Sequence, residues 1–235
     1  MLLTDLAAAS SLHISTVHRL ISTLISRGYA YKNPNSGRYC LTLRFFEIGC
    51  QTSGALDLIT MSRPMLDELS DFSQETVHLV KRTGNNVTYL YKSEPRQMLV
   101  RMASYVGGSC PMFCTGVGKA ILAQLPESAV DTVWASSTIQ KKTENTIVDL
   151  DVLKSQLVVC RQQGYALDNE ENEIGVSCIA APFFDWHSEP IGAVSISGST
   201  ARMTEAVRAR ILPKLLETTA AISRQLGYAA APTAV

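Results

Sequence analysis

Residues 14–24, Ile14-Ser15-Thr16-Val17-His18-Arg19-Leu20-Ile21-Ser22-Thr23-Leu24, decide how this chain is read. Val17, Leu20, Ile21 and Leu24 recur at i, i+3, i+4 and i+7, an apolar stripe on a helix that runs to Ser26. Ser15, Thr16, His18, Arg19 and Thr23 fall on the other face, each with a tip that can hydrogen-bond. Before this helix, Leu3–Ser10 reads as a shorter one, with Thr4 as its N-cap and Asp5 near the positive end of its dipole. Ser10-Ser11-Leu12-His13 breaks it. After the second helix, Gly28 supplies a stop. The β-prone runs Tyr29–Lys32 and Arg38–Leu41 then flank Asn33-Pro34-Asn35-Ser36-Gly37, whose turn chemistry predicts a hairpin.

Two short helices, the second with a polar free face, followed by a β-hairpin, make up a winged helix-turn-helix, whose second helix enters the major groove of DNA. Ser15, Thr16, His18 and Arg19 are the expected readers, with Lys32 and Arg38 on the wing. The same elements also fit an αα-hairpin and a β-hairpin of some other small domain. Charge favours the DNA reading. Residues 1–44 carry Arg19, Arg27, Lys32, Arg38 and Arg44 against Asp5 alone, so they are +4 and, with zero net charge overall, the remainder is −4. A basic head on an acidic body suits a DNA-binding segment with a separate sensor.

The 235 residues are enough for one large and one small domain, and 46% hydrophobic against 18% charged residues is the balance of a chain that buries a core. No apolar run reaches the roughly 18 residues of a membrane span, and Thr4-Asp5 follows Met1-Leu2-Leu3 at once, so the expected location is the cytoplasm. Cys40, Cys50, Cys110, Cys114, Cys160 and Cys178 are scattered and are expected to be reduced thiols.

Beyond the head, 44–61 is helix-prone. Helices are expected over Pro64–Phe72, Gly116–Gln124, Asp149–Gln163 and Thr204–Leu226. Strands are expected over Thr76–Arg82, Val87–Ser93, Leu99–Ala103, Gly175–Pro182 and Ile191–Ser197. Paired strands with helices outside predict an antiparallel sheet and an α+β class. Neither a dinucleotide-binding glycine fingerprint nor a P-loop is present.

Thr4-Asp5-Leu6-Ala7, Ile14–Leu24, Arg27-Gly28-Tyr29 and Gly37–Thr42 closely resemble the winged helix-turn-helix of the IclR family of bacterial transcription regulators. The resemblance continues to about Tyr228 through Gly107–Ala120, Gly164–Glu171, Gly175–Ala180 and Ser195–Gly198. It implies a DNA-binding domain over 1–43, a linker helix over 44–61, a GAF-like effector domain over 62–228 and a tail over 229–235. It implies further that the linker helps form a homodimer or homotetramer on palindromic double-stranded operator DNA. In the family another helix precedes the first two, and without it this head is expected to pack loosely. Carried over position by position, the effector site is Gly116, Val117, Asp168, Cys178, Ser195 and Ser197, with no cofactor. Backbone N–H groups entering a helix at 115–119, and two serines spaced i, i+2 on a strand, suit a small organic carboxylate. Met112 and Phe113 are expected to shape that pocket. The Thr-Val-His-Arg-Leu helix and the Glu171–Ala180 block look closest to family members controlling sugar-acid catabolism. The expected function is a repressor, or failing that an activator, answering a sugar acid or 2-oxo acid.

Two other readings compete. Cys110, Cys114 and Cys178 could converge in a thiol redox enzyme on a GAF-like fold, with Cys114 activated by the helix that follows it. Cys110 and Cys114 with His78 or Cys178 could hold zinc, although that spacing is looser than structural zinc sites use and no metal is expected.

Overall fold

The computed structural model describes residues 1–45, 57–95 and 102–229. The chain divides into two compact units, Met1–Leu58 and Ile59–Val235.

In the first unit, α1 (Leu3–Ser10) and α2 (Ile14–Ser26) are followed by β1 (Ala30–Lys32) and β2 (Tyr39–Leu41), an antiparallel pair. Leu2, not Thr4, is the N-cap of α1, because Asp5 reaches back to accept from the Leu2 N–H at 2.9 Å. His13 caps α2 through its ring, accepting from the Ser15 N–H. In the wing turn, Asn33 Oδ1 accepts from the N–H groups of Asn35 and Ser36, and Gly37 takes φ +66°, where a Cβ would be strained. Thr42 Oγ1 donates to Gly28 O at 2.6 Å and ties the wing to the end of α2. Little is buried here: Val17, Ile21 and Ala30 are, α1 buries nothing, and Leu20 is 50% exposed. Leu20 departs from the expected stripe because α1 and β1, the elements packing on α2, cover the Val17 and Ile21 side.

The second unit opens with α3 (Leu58–Ser73), one helix running through Pro64 where the sequence suggested a start. Residues 58–61 of the expected linker form its first turn. Most of that linker, like most of the tail, lies outside the described residues. There follow β3 (Thr76–Thr83), β4 (Asn86–Ser93), β5 (Ser109–Pro111), α4 (Gly116–Leu122), α5 (Glu127–Ser136), α6 (Leu150–Gln163), β6 (Ala166–Asn169), β7 (Val176–Phe184), β8 (Pro190–Ser199) and α7 (Glu205–Gln225). The expected strand at Leu99–Ala103 falls mostly outside the described residues, while β5, β6 and α5 had not been foreseen.

The six strands form one antiparallel sheet in the order β5-β4-β3-β8-β7-β6, as the α+β class predicts. On one face α4 is buried over its whole length and packs on β6, β7 and β8, with Val130, Val133, Leu153 and Leu157 of α5 and α6 in the same core. On the other, Val77, Leu79, Val194 and Ile196 are completely buried, and α7, packing on β7 and β8, buries Ile211, Leu215 and Ile222. Each such aliphatic side chain contributes about 1.5–3 kcal/mol of burial, so the sheet is a rigid floor for whatever its polar residues do.

Candidate functional site

On the first unit, Ser15, His18 and Arg19 are exposed on the first turns of α2, and Lys32 and Arg38 are exposed on the wing. Thr16 is half-buried. Ser15 Oγ also contacts His13 Nδ1 at 2.8 Å, so this hydroxyl shares in the cap. Lys32 lies over the Tyr39 ring at 5.6 Å and Arg44 over Tyr29 at 5.0 Å; the Arg44 guanidinium also donates to Arg27 O. Arg44 is therefore part of the scaffold, while Arg19 and Arg38 are exposed and make no side-chain ion pair among the described residues.

On the second unit, strand register builds a polar row. Asp168 on β6 pairs with Cys178 on β7, Cys178 with Ser197 on β8, and Ser195, two residues along the same face, with His78 on β3. Neighbouring strands lie about 4.8 Å apart, so the row crosses about 14 Å of sheet. Above it stands the start of α4. A Cβ on Gly116 would lie 2.8 Å from Cys178 Sγ, so glycine lets the helix reach the sheet. Thr115 Oγ1 accepts from Gly118 N–H, and Gly116 and Val117 N–H belong to the first turn, which has no intrahelical acceptors. All six residues expected of the effector site line one cavity of about 220 Å³. That is below the 300–1,000 Å³ of drug-sized pockets, a metabolite's space.

His78, which sequence reading considered only as a zinc ligand, is a centre of this cavity. Its Nε2 lies 2.8 Å from Ser104 Oγ, and its Nδ1 3.3 and 3.4 Å from the Ser195 and Ser197 hydroxyls. The Tyr89 ring meets it edge-on at 5.2 Å. Burial, and then the Lys92 charge, hold His78 down at about 3, so it is neutral at neutral pH. Burial pushes Asp168 up to about 6, even though its Oδ1 accepts from the Glu171 N–H at 2.8 Å. The signal for His78 was available: one polar residue in the otherwise apolar run Val77–Val80. Behind the cavity Lys119 of α4 and Glu171 make a buried ion pair at 2.5 Å.

Two expectations are corrected. Met112 and Phe113 do not shape the cavity but pack in the core, Phe113 edge-on to Trp134 of α5 at 5.9 Å. The helix start does not activate Cys114. Burial dominates, lifting its thiol to about 12 and raising Cys110 and Cys178 above the usual thiol range as well. Among the described residues, Cys110, Cys114, His78 and Cys178 do not gather into a metal-binding group. No helix among them is long and apolar enough to cross a membrane.

An exposed polar helix with a basic wing, on a chain whose second unit holds a metabolite-sized cavity crossed by a row of polar side chains, defines the class: a ligand-responsive, DNA-binding regulator. Comparison with known proteins agrees. Residues 50–224 match the bacterial transcriptional regulator IclR C-terminal family, and residues 1–34 the IclR helix-turn-helix domain. The chain is 38% identical over 228 residues to the DNA-binding transcriptional repressor YiaJ of Escherichia coli K12, covering 96% of this chain and 81% of that protein. It is 34% identical to the HTH-type transcriptional regulator KdgR of the same organism, covering 96% and 86%. The crystal structure of the Thermotoga maritima IclR superposes with a TM-score of 0.71 at 31% identity, covering 97% and 92% of the two chains. The chain belongs to the IclR family of transcription regulators, and its DNA binding is under the control of an effector.

Proposed function

We propose that this regulator is a repressor whose effector is a small organic acid, a sugar acid or 2-oxo acid. Gly116, Val117, Asp168, Cys178, Ser195 and Ser197 contact that effector. A homodimer or homotetramer reads a palindromic operator through Ser15, Thr16, His18 and Arg19, with Lys32 and Arg38 on phosphate. The observation that carries the effector half is the convergence of six residues from four elements on one small cavity. The start of α4, two serine hydroxyls and a neutral histidine line it together, a set that suits a carboxylate and its hydroxyl or carbonyl neighbours. YiaJ is a repressor, which supports the direction of control.

The test is thermal unfolding against pyruvate, glyoxylate, aromatic acids, and keto-deoxy and diketo sugar acids. A ligand at about 100 times its Kd adds roughly 2.7 kcal/mol, a shift of about 5 °C or more for a chain of this size. The shift is expected from a sugar acid or 2-oxo acid and is lost in Ser195→Ala. No shift from any acid would remove this effector class and leave the DNA-binding head untouched. For the head, Arg19→Ala is expected to weaken operator binding by about 1–3 kcal/mol where Arg19 reads a base, and unchanged binding would strike it from the interface.

A further inference from the structure

We propose that Lys142, on the loop between α5 and α6, is an effector-binding residue that selects for a negatively charged ligand. The inference rests on the acid-effector reading above and adds to it the residue that reads the charge.

The cavity has an electrostatic imbalance. Asp168 and Glu173 line it, and Lys142 is the only cation among the described residues that does. Other lysines are committed elsewhere: Lys119 to Glu171 behind the cavity, Lys92 to Glu94 and two backbone carbonyls, Lys141 to Glu144. Among the described residues, no carboxylate lies within ion-pair distance of Lys142. Its ammonium donates to the neutral Asn172 Oδ1 at 2.6 Å, and Cys114, just before α4, donates to the same oxygen at 3.9 Å. The charge thus lines the same cavity as Gly116 and Val117, where the ligand's acid group is expected.

The backbone carrying Lys142 is fixed, although its side chain is exposed. The Lys142 and Thr143 N–H groups both donate to Thr146 Oγ1, at 3.0 and 2.9 Å. Thr143 Oγ1 donates to Glu170 O at 2.6 Å, and Thr146 Oγ1 to Glu171 O at 2.7 Å. Both threonines are buried. These bonds clamp the loop to the segment just after Asp168, so the lysine is rooted on the same rigid body as the cavity. Only its flexible stem must move for the ammonium to leave Asn172 for an anion. A fixed root with a free charge is how a binding residue is presented at low entropic cost.

The experiment is calorimetric titration with pyruvate, glyoxylate, gluconate and 2-keto-3-deoxygluconate, each beside its neutral primary amide, on four proteins: wild type, Lys142→Met, Lys142→Arg and Lys141→Met. For the acid that wild type binds, Lys142→Met is expected to lose about tenfold to a hundredfold in affinity, the worth of a hydrogen bond to a charged group. Lys142→Arg restores most of it and Lys141→Met changes nothing. The amide binds wild type and Lys142→Met equally. The unliganded unfolding midpoint of Lys142→Met stays at the wild-type value, because the side chain is exposed. Equal acid affinity in wild type and Lys142→Met would overturn the assignment, as would an equal loss in Lys141→Met, which would reduce the effect to overall charge. If wild type binds none of the acids, the acid reading itself falls and takes Lys142 with it.

Discussion

Asp168 and His78 terminate one polar row, and burial disfavours the charged form of each, pushing the carboxyl up and the imidazole down. The native state holds the Asp168 proton up to about 6, whereas the unfolded chain releases it near the ordinary carboxylate value of 3.8. Between those values the native state binds more protons, so this group's contribution to stability falls as pH rises. His78 acts in the reverse sense. The unfolded chain takes up its proton below about 6.5 and the native state refuses it down to about 3, so stability is lost as pH falls from 6.5. Asp168→Asn, which keeps the acceptor for the Glu171 N–H, is expected to stabilise the unliganded protein at pH 7.5 by on the order of 2–3 kcal/mol, with the gain vanishing near pH 4. His78→Gln is expected to gain on wild type as pH is lowered from 7 to 5. Urea unfolding of the three proteins across that range separates the two effects, and pH-independent differences would show that neither group titrates as its burial implies.

The elements hold their places through a few contacts that tolerate no extra atom. On α4, a Cβ at Gly118 would fall 2.2 Å from Met112 O and 2.3 Å from Met112 Cα, against backbone that cannot swing aside. Gly118→Ala is therefore expected to lower the unfolding midpoint by roughly 10 °C or to abolish soluble expression. A midpoint within a degree or two of wild type would mean that α4 can lift off the strand before it. The sequence declared these elements unequally. α2 and α6 carried a 3.6-residue apolar period, and β3, β4, β7 and β8 were long apolar runs bounded by turn residues. β5 and β6 have three and four residues, too few to show alternation, and α5 is rich in residues with weak helix propensity. The cavity was legible through Gly116, Val117, Asp168, Cys178, Ser195 and Ser197, which sit in blocks with a family resemblance. Lys142 was not, because it lies in an aperiodic loop whose position depends on buried threonine hydroxyls, and those cannot be seen before the chain is folded.

At the scale of the molecule, control of DNA binding by a ligand is a thermodynamic exchange. An effector that lowers operator affinity by some factor must itself be bound more weakly, by the same factor, when operator is present. Titrating the acid that shifts the midpoint into protein with and without saturating operator duplex tests this, with a difference of about 5- to 150-fold expected; equal affinities would mean the cavity and the DNA-reading helix are uncoupled. The sheet order has a different consequence, concerning synthesis. β3 and β8 lie side by side at the centre, although roughly a hundred residues separate them along the chain. A nascent chain emerging from the ribosome can form the β3–β4 hairpin early, but its inner edge waits, unpaired, until β8 has been translated. At about 5–20 residues per second that is an interval of roughly 5 to 20 seconds, long enough for a chaperone to bind the exposed strand, and the cavity lined by His78, Ser195 and Ser197 cannot exist until it ends.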